Sequence, residues 1–187
     1  MNKEDFIDGR FVEFITFPWG PDIDEILDLE NICVKLFSIT DDQVEWIKGY
    51  NFEKNKNLNI SCGYIATIKS KLLDCVKYTN IEKPFFENVY KEISDMDFEN
   101  IMVNCITGDD GGQFEIKIGQ NNGLNEYYKK IGLWSPPSTE DNKSIIQIKK
   151  LLKIYEEIKY KIDYNSWYKE ILLNEYKSFK SKKVKKC

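Results

Sequence analysis

The chain has 187 residues, 42% hydrophobic and 14% aromatic, with a net charge of −4. These values suit one globular domain with a single core and argue against a general nucleic-acid binder. There is no histidine, which excludes Ser-His-Asp and Cys-His catalysis, histidine general bases and histidine-bearing zinc or iron sites.

Residues 1–10 are polar and lack the apolar stretch of a secretory leader, so no signal peptide is read and the cytosol is the default location. No apolar run approaches the length needed to cross a bilayer. Phe11 to Phe17 alternates as a strand, and Pro18-Trp19-Gly20-Pro21 ends it in a stiff aromatic loop. Asp22 to Glu30 reads as a short acidic helix with Pro21 at its start and Ile23, Ile26 and Leu27 on one face. Ile32 to Ile39 is a second strand. Thr40 opens another short helix, which carries Val44, Trp46 and Ile47 and stops at Gly49.

A polar loop of Asn and Lys covers Asn51 to Asn57. Leu58 to Lys69 has strand character, with Gly63 marking a bulge or a close backbone approach. Ser70 to Tyr78 is ambiguous between strand and helix. Pro84 starts a helix in which Phe86, Val89, Tyr90 and Ile93 follow the amphipathic pattern. Two β-rich runs come next, Phe98 to Thr107 and Gln113 to Gly119, around the Gly108 to Gly112 turn. They are expected to close as an antiparallel hairpin. Phe114, Ile116 and Ile118 alternate with Glu115 and Lys117, the pattern of a strand with one face on a core and one in water.

Leu124 to Ile131, between Gly123 and Gly132, reads as a short helix. Leu133-Trp134-Ser135-Pro136-Pro137 is a second rigid aromatic loop. Beyond it Ser138 to Tyr160 carries Ile145, Ile148, Leu151, Leu152, Tyr155 and Ile158 on one stripe. Asp163-Tyr164-Asn165 interrupts, and Ser166 to Lys180 forms a last helix with Trp167, Ile171 and Leu172 inward. Residues 181–187 are a charged, disordered tail; its terminal Cys187 has no following residues for prenylation.

The expected fold is α+β: a mostly antiparallel sheet of about five strands, with helices on one face and a C-terminal helical hairpin. The whole chain, 1–187, is read as a single domain, with the sheet-containing part at about 11–132 and the helical hairpin at about 138–180.

The candidate sites are few. Trp19 and Trp134, in proline-braced loops, are either exposed partner-binding anchors or lids over the core edge. Asp24 and Asp28 are four apart on the acidic helix and project together, a surface suited to a basic protein partner; Asp41, Asp42 and Glu45 extend the acidity. Helix-dipole complementarity accounts for the same residues without a partner. Asp109 and Asp110 are adjacent carboxylates in a Gly-rich turn, and they read either as a divalent-cation site or as plain turn chemistry.

No catalytic residue or cofactor site is assigned. The five cysteines, Cys33, Cys62, Cys75, Cys105 and Cys187, are odd in number and widely spaced, as expected of buried free thiols acting as small hydrophobes. Arg10 is the one arginine, which makes phosphate-reading sites less expected. The expectation is a non-enzymatic cytosolic protein-binding module, more specifically an immunity or antidote-type protein that occludes a toxin or nuclease. A protein partner is expected, and neither membrane nor nucleic acid. The alternative is a carboxylate-based enzyme or ligand-binding protein with a divalent cation at Asp109 and Asp110.

Overall fold

A computed structural model of the chain describes residues 9–17, 32–50, 55, 57–70, 76–99, 101, 113–122, 125–134 and 143–170. Alternating side chains in β1 (Arg10–Phe17), β2 (Ile32–Ile39), β3 (Gly63–Ser70), β4 (Val76–Ile81), β5 (Gln113–Asn122) and β6 (Asn125–Trp134) build one sheet. The order is β4-β3-β2-β1-β5-β6, and every neighbouring pair is antiparallel. The fold is α+β as expected, with six strands rather than about five. Val76 to Tyr78, the end of the ambiguous stretch, resolve as the start of strand β4, which runs on to Ile81.

Because the side-chain period of a strand is two, register sorts the residues onto two faces. The front face carries continuous apolar rows: Phe14 lies beside Val34 and Ile116, and Ile116 beside Ile131. Two helices cover this face, α2 (Lys83–Ser94) and α3 (Lys143–Lys161). α2 has Pro84 in its first turn, where a missing N–H costs nothing, and buries Phe86, Val89 and Ile93. α3 adds Ile148, Leu151, Ile154, Tyr155 and Ile158 to the same core cluster. The Tyr155 ring stacks on Phe14 at 5.0 Å. Burial pushes the phenols of Tyr155 and Tyr164 above their usual range.

At the end of α3 the chain turns at Asp163, whose φ of 54° is the left-handed conformation that Asp tolerates. Lys77 of β4 reaches across with its Nζ 3.1 Å from the Ile162 carbonyl, which places a cation on the carbonyl end of the helix. Residues 164–170 are again helical, and Trp167 is buried in the main cluster, as its position predicts. This is the C-terminal helix pair; Ile171, Leu172 and the tail 181–187 lie outside the described residues.

Several expectations are corrected. The expected strand from Phe98 to Thr107 does not begin as one; residues 100 and 102–112 lie outside the described residues. Phe98, Glu99 and Ile101 are helical, and β5 is paired along its full length with β6 on one side and nearly so with β1 on the other. Both hydrogen-bonding edges of β5 are therefore taken. The turn starts at Asp97, whose N–H donates to Gln147 Oε1 of α3 at 2.9 Å; Ile101 N–H then donates to the Asp97 carbonyl at 3.1 Å. Phe98 and Ile101, three apart, enter the main core together.

Of the expected helix over Leu124 to Ile131, Asn125 to Ile131 belong to strand β6, and Leu124 lies outside the described residues. Asn122 pairs with Asn125, so two residues join β5 to β6, the length of a tight hairpin connection. Gly63 is not a bulge inside a strand; it is the first residue of β3, at φ 133°. Glu115 does not face open water, as described below.

The helices do not all lie on one face. α1 (Asp41–Gly49) packs on the rear of the sheet through Val44 and Ile47. With Ile39, Ile60 and Ile65 they form a second, smaller cluster, flanked by Phe37, Leu58 and Tyr78.

Candidate functional site

α1 begins with a reciprocal cap. The Thr40 side chain accepts from Gln43 N–H at 3.2 Å, and the Gln43 side chain accepts from Thr40 N–H at 2.8 Å. That satisfies two otherwise orphaned donors and fixes where the helix starts. Its other end is held as well. Tyr50 N–H donates to the Trp46 carbonyl at 2.8 Å, and Asn55 Nδ2 donates to the Ile47 carbonyl at 3.0 Å. Val44 and Ile47, three apart, anchor the inner side.

The outer side follows from the same period. Trp46 and Tyr50 are four apart and share the opposite stripe. Trp46 is 68% exposed and Tyr50 61% exposed. Their rings stack at 5.5 Å with an interplanar angle of 21°. Asp42, one turn before Trp46, and Glu45 beside it are exposed too. The sequence pattern places Trp46 with Val44 and Ile47; the structure turns it to solvent, because two residues along a helix is roughly 200° around its axis.

A second concentration of polar chemistry lies on the rear face beyond α1. Glu13, Lys117 and Lys130 are consecutive partners across β1, β5 and β6. Lys130 Nζ lies 2.6 Å from Glu115 Oε2, and Lys117 Nζ lies 3.6 Å from Glu115 Oε1 and 3.4 Å from Glu13 Oε2. Glu115 is 8% exposed. A carboxylate that dry needs the two lysines to offset its lost hydration.

Burial alone would lower the Lys117 pKa, but Glu13, Glu115 and Tyr128 around it raise it above the usual value. The Cys33 thiol donates to Glu13 Oε1 at 3.2 Å. Burial, then the neighbouring Glu13 charge, pushes its pKa from 9.0 up to about 12. Cys33 is thus a neutral thiol near neutral pH, with little thiolate for nucleophilic or metal chemistry. Cys33 and Cys62 are free, as expected, but half-buried rather than fully buried; Cys75, Cys105 and Cys187 lie outside the described residues.

Arg10 is committed within the fold. Its guanidinium makes a bidentate contact with Glu87 at 2.6 and 2.9 Å and lies 5.0 Å from the Tyr90 ring centroid. It ties the start of β1 to α2. Nearby, a cleft of about 360 Å³ is lined by Tyr90 and Ser94 of α2 and by Ile118, Gly119, Gln120, Tyr128 and Lys129 of the β5–β6 pair. Its volume is at the low end for small-molecule sites, and its titratable lining is two tyrosines and one lysine.

The residues singled out from sequence are not brought together among the described residues. Trp19, Asp24, Asp28, Asp109 and Asp110 all lie outside them. Trp134 ends β6 opposite Gln113, as the last residue of a strand rather than within a loop. Among the described residues no group of three or more His, Cys, Asp or Glu is placed to hold a metal ion, and no helix is long and apolar enough to cross a membrane. Compared with the models of known protein families and with curated proteins, the chain matches none.

Proposed function

We propose that the chain is a non-enzymatic, cytosolic protein-binding module of the immunity or antidote type, which occludes a toxin or nuclease through the outer face of α1. The observation that carries this reading is the stacked Trp46–Tyr50 pair, 68% and 61% exposed, on a helix capped and anchored from below. Exposed aromatic anchors on a rigid element are the residues that dominate binding energy when a partner covers them. Pre-organisation lowers the ordering cost of docking. Mild acidity and the lack of histidine are consistent with a binding rather than a catalytic role.

The test is recovery of a partner by the tagged protein from lysate of its source, alongside the Trp46→Ala/Tyr50→Ala variant. The expected result is a stoichiometric protein partner held by wild type and lost by the variant. An antidote role further requires that this partner be cytotoxic when expressed alone and harmless when co-expressed with the wild-type chain. Equal recovery by the variant would remove α1 from the interface, and a harmless partner would remove the antidote role.

A further inference from the structure

We infer that α1 seats a cationic side chain of the partner, an arginine or lysine from a basic segment, over the Trp46 ring and against the carboxylates of Asp42 and Glu45. This deepens the binding reading above and rests on it.

Asp42 lies three residues before Glu45 and four before Trp46, so it neighbours both on the helix surface, and Tyr50 continues the stripe one turn on. All four are exposed. Among the described residues neither Asp42 nor Glu45 is ion-paired. The helix dipole accounts for acids in the first turn, such as Asp42, but its effect fades beyond that turn, so Glu45 has no such explanation. The helix's lysine, Lys48, sits two residues past Trp46, roughly 200° away, and three past Glu45, with which it makes no ion pair among the described residues.

Rings elsewhere in the chain already carry cations. Lys35 lies 4.3 Å from the Phe11 ring, Lys117 5.6 Å from Tyr128, Arg10 5.0 Å from Tyr90 and Lys161 5.8 Å from Phe85. Among the described residues no cation lies over Trp46 or Tyr50. Trp offers the most favourable face for a cation, and two adjacent carboxylates complement its charge. An acidic stripe repels phosphate backbones and favours a basic protein segment.

The experiment titrates the isotope-labelled full chain with three capped peptides and follows the Trp46 indole N–H by NMR, assigned from Trp46→Phe. The probes are Gly-Ser-Arg-Arg-Ser-Gly, the same peptide with citrulline for arginine, and Gly-Ser-Leu-Leu-Ser-Gly. The arginine peptide alone is expected to move the Trp46 and Tyr50 resonances. Its affinity should fall several-fold when ionic strength rises from about 20 mM to about 300 mM, and about tenfold in Asp42→Asn/Glu45→Gln. Equal shifts from the citrulline peptide would overturn the cationic occupant. Shifts at Trp46 from the leucine peptide alone would overturn it too, while leaving α1 as a protein-binding surface. If no peptide moves Trp46 and the recovered partner is held equally well by Trp46→Ala, both the occupant and the surface are wrong.

Discussion

The two faces of the sheet are built from the same six strands on opposite rules. The front carries apolar rows across its central strands and is closed by α2 and α3 in one cluster that reaches Trp167. The rear is divided. One part is the small cluster under α1, and the other is the Glu13–Lys117–Glu115–Lys130 lattice. The front holds the fold by burial, at roughly 25 cal/mol per Å² of apolar surface. The rear lattice adds little net stability, because paired charges mainly offset their own desolvation. It does pin the register, since a one-residue slip of β5 would carry Glu115 into the front core. The small rear cluster holds α1, whose outer side exposes Trp46 and Tyr50.

The comparison breaks most visibly at β5, where adjacent residues belong to different faces. Ile116 is fully buried in the front core, so Ile116→Asp should abolish soluble expression. An unpaired charge there costs several kcal/mol against a total stability of roughly 5–15 kcal/mol. Glu115→Lys looks harmless on alternation alone. With Lys130 at 2.6 Å and Lys117 at 3.6 Å, it places a third cation among two and should destabilise by about 3 kcal/mol in urea denaturation. A Glu115→Lys variant as stable as wild type would show that the lattice is solvated after all.

A smaller effect isolates the rear thiol. Cys33 is raised from 9.0 to about 12 by burial and Glu13, so the unfolded chain gives up that proton first as pH rises. Its contribution is complete below about pH 9 and is lost as pH climbs toward about pH 12; Lys117, also raised, acts in the same direction. Between about pH 8 and about pH 10.5 the Cys33 share of that loss is about 2 kcal/mol, at 1.36 kcal/mol per pH unit. Cys33→Ala should therefore show an alkaline decline shallower than wild type by about that amount. Parallel declines would place the thiol in water.

Much of the scaffold was legible in the sequence, because its cues are local. Alternation marked β1 and β5, Thr40 marked the start of α1, and the apolar stripe marked α3. The failures share a cause. Phe98 to Ile101 has β-rich composition, but β1 and β6 occupy both edges of β5, a fact of topology that no local pattern carries. β6 was hidden by the glycines on either side of Leu124 to Ile131, although Asn122-Gly123 is a hairpin signal. The charge lattice depends on the register of three strands and could not be read along one. Trp46 was within reach: Val44 and Ile47 as the inner pair leave Trp46 and Tyr50 as the outer one.

α1 has an inner side that holds the fold and an outer side proposed for recognition, and the adjacent residues Ile47 and Trp46 fall one on each. Urea denaturation of Trp46→Ala and Ile47→Ala, each paired with partner recovery, tests this division most directly. Ile47 is 7% exposed in the rear cluster, so its truncation should cost about 2–4 kcal/mol. Trp46→Ala should stay within about 0.5 kcal/mol of wild type and yet lose the partner. Equal destabilisation by the two, or a partner still held by Trp46→Ala, would contradict the account.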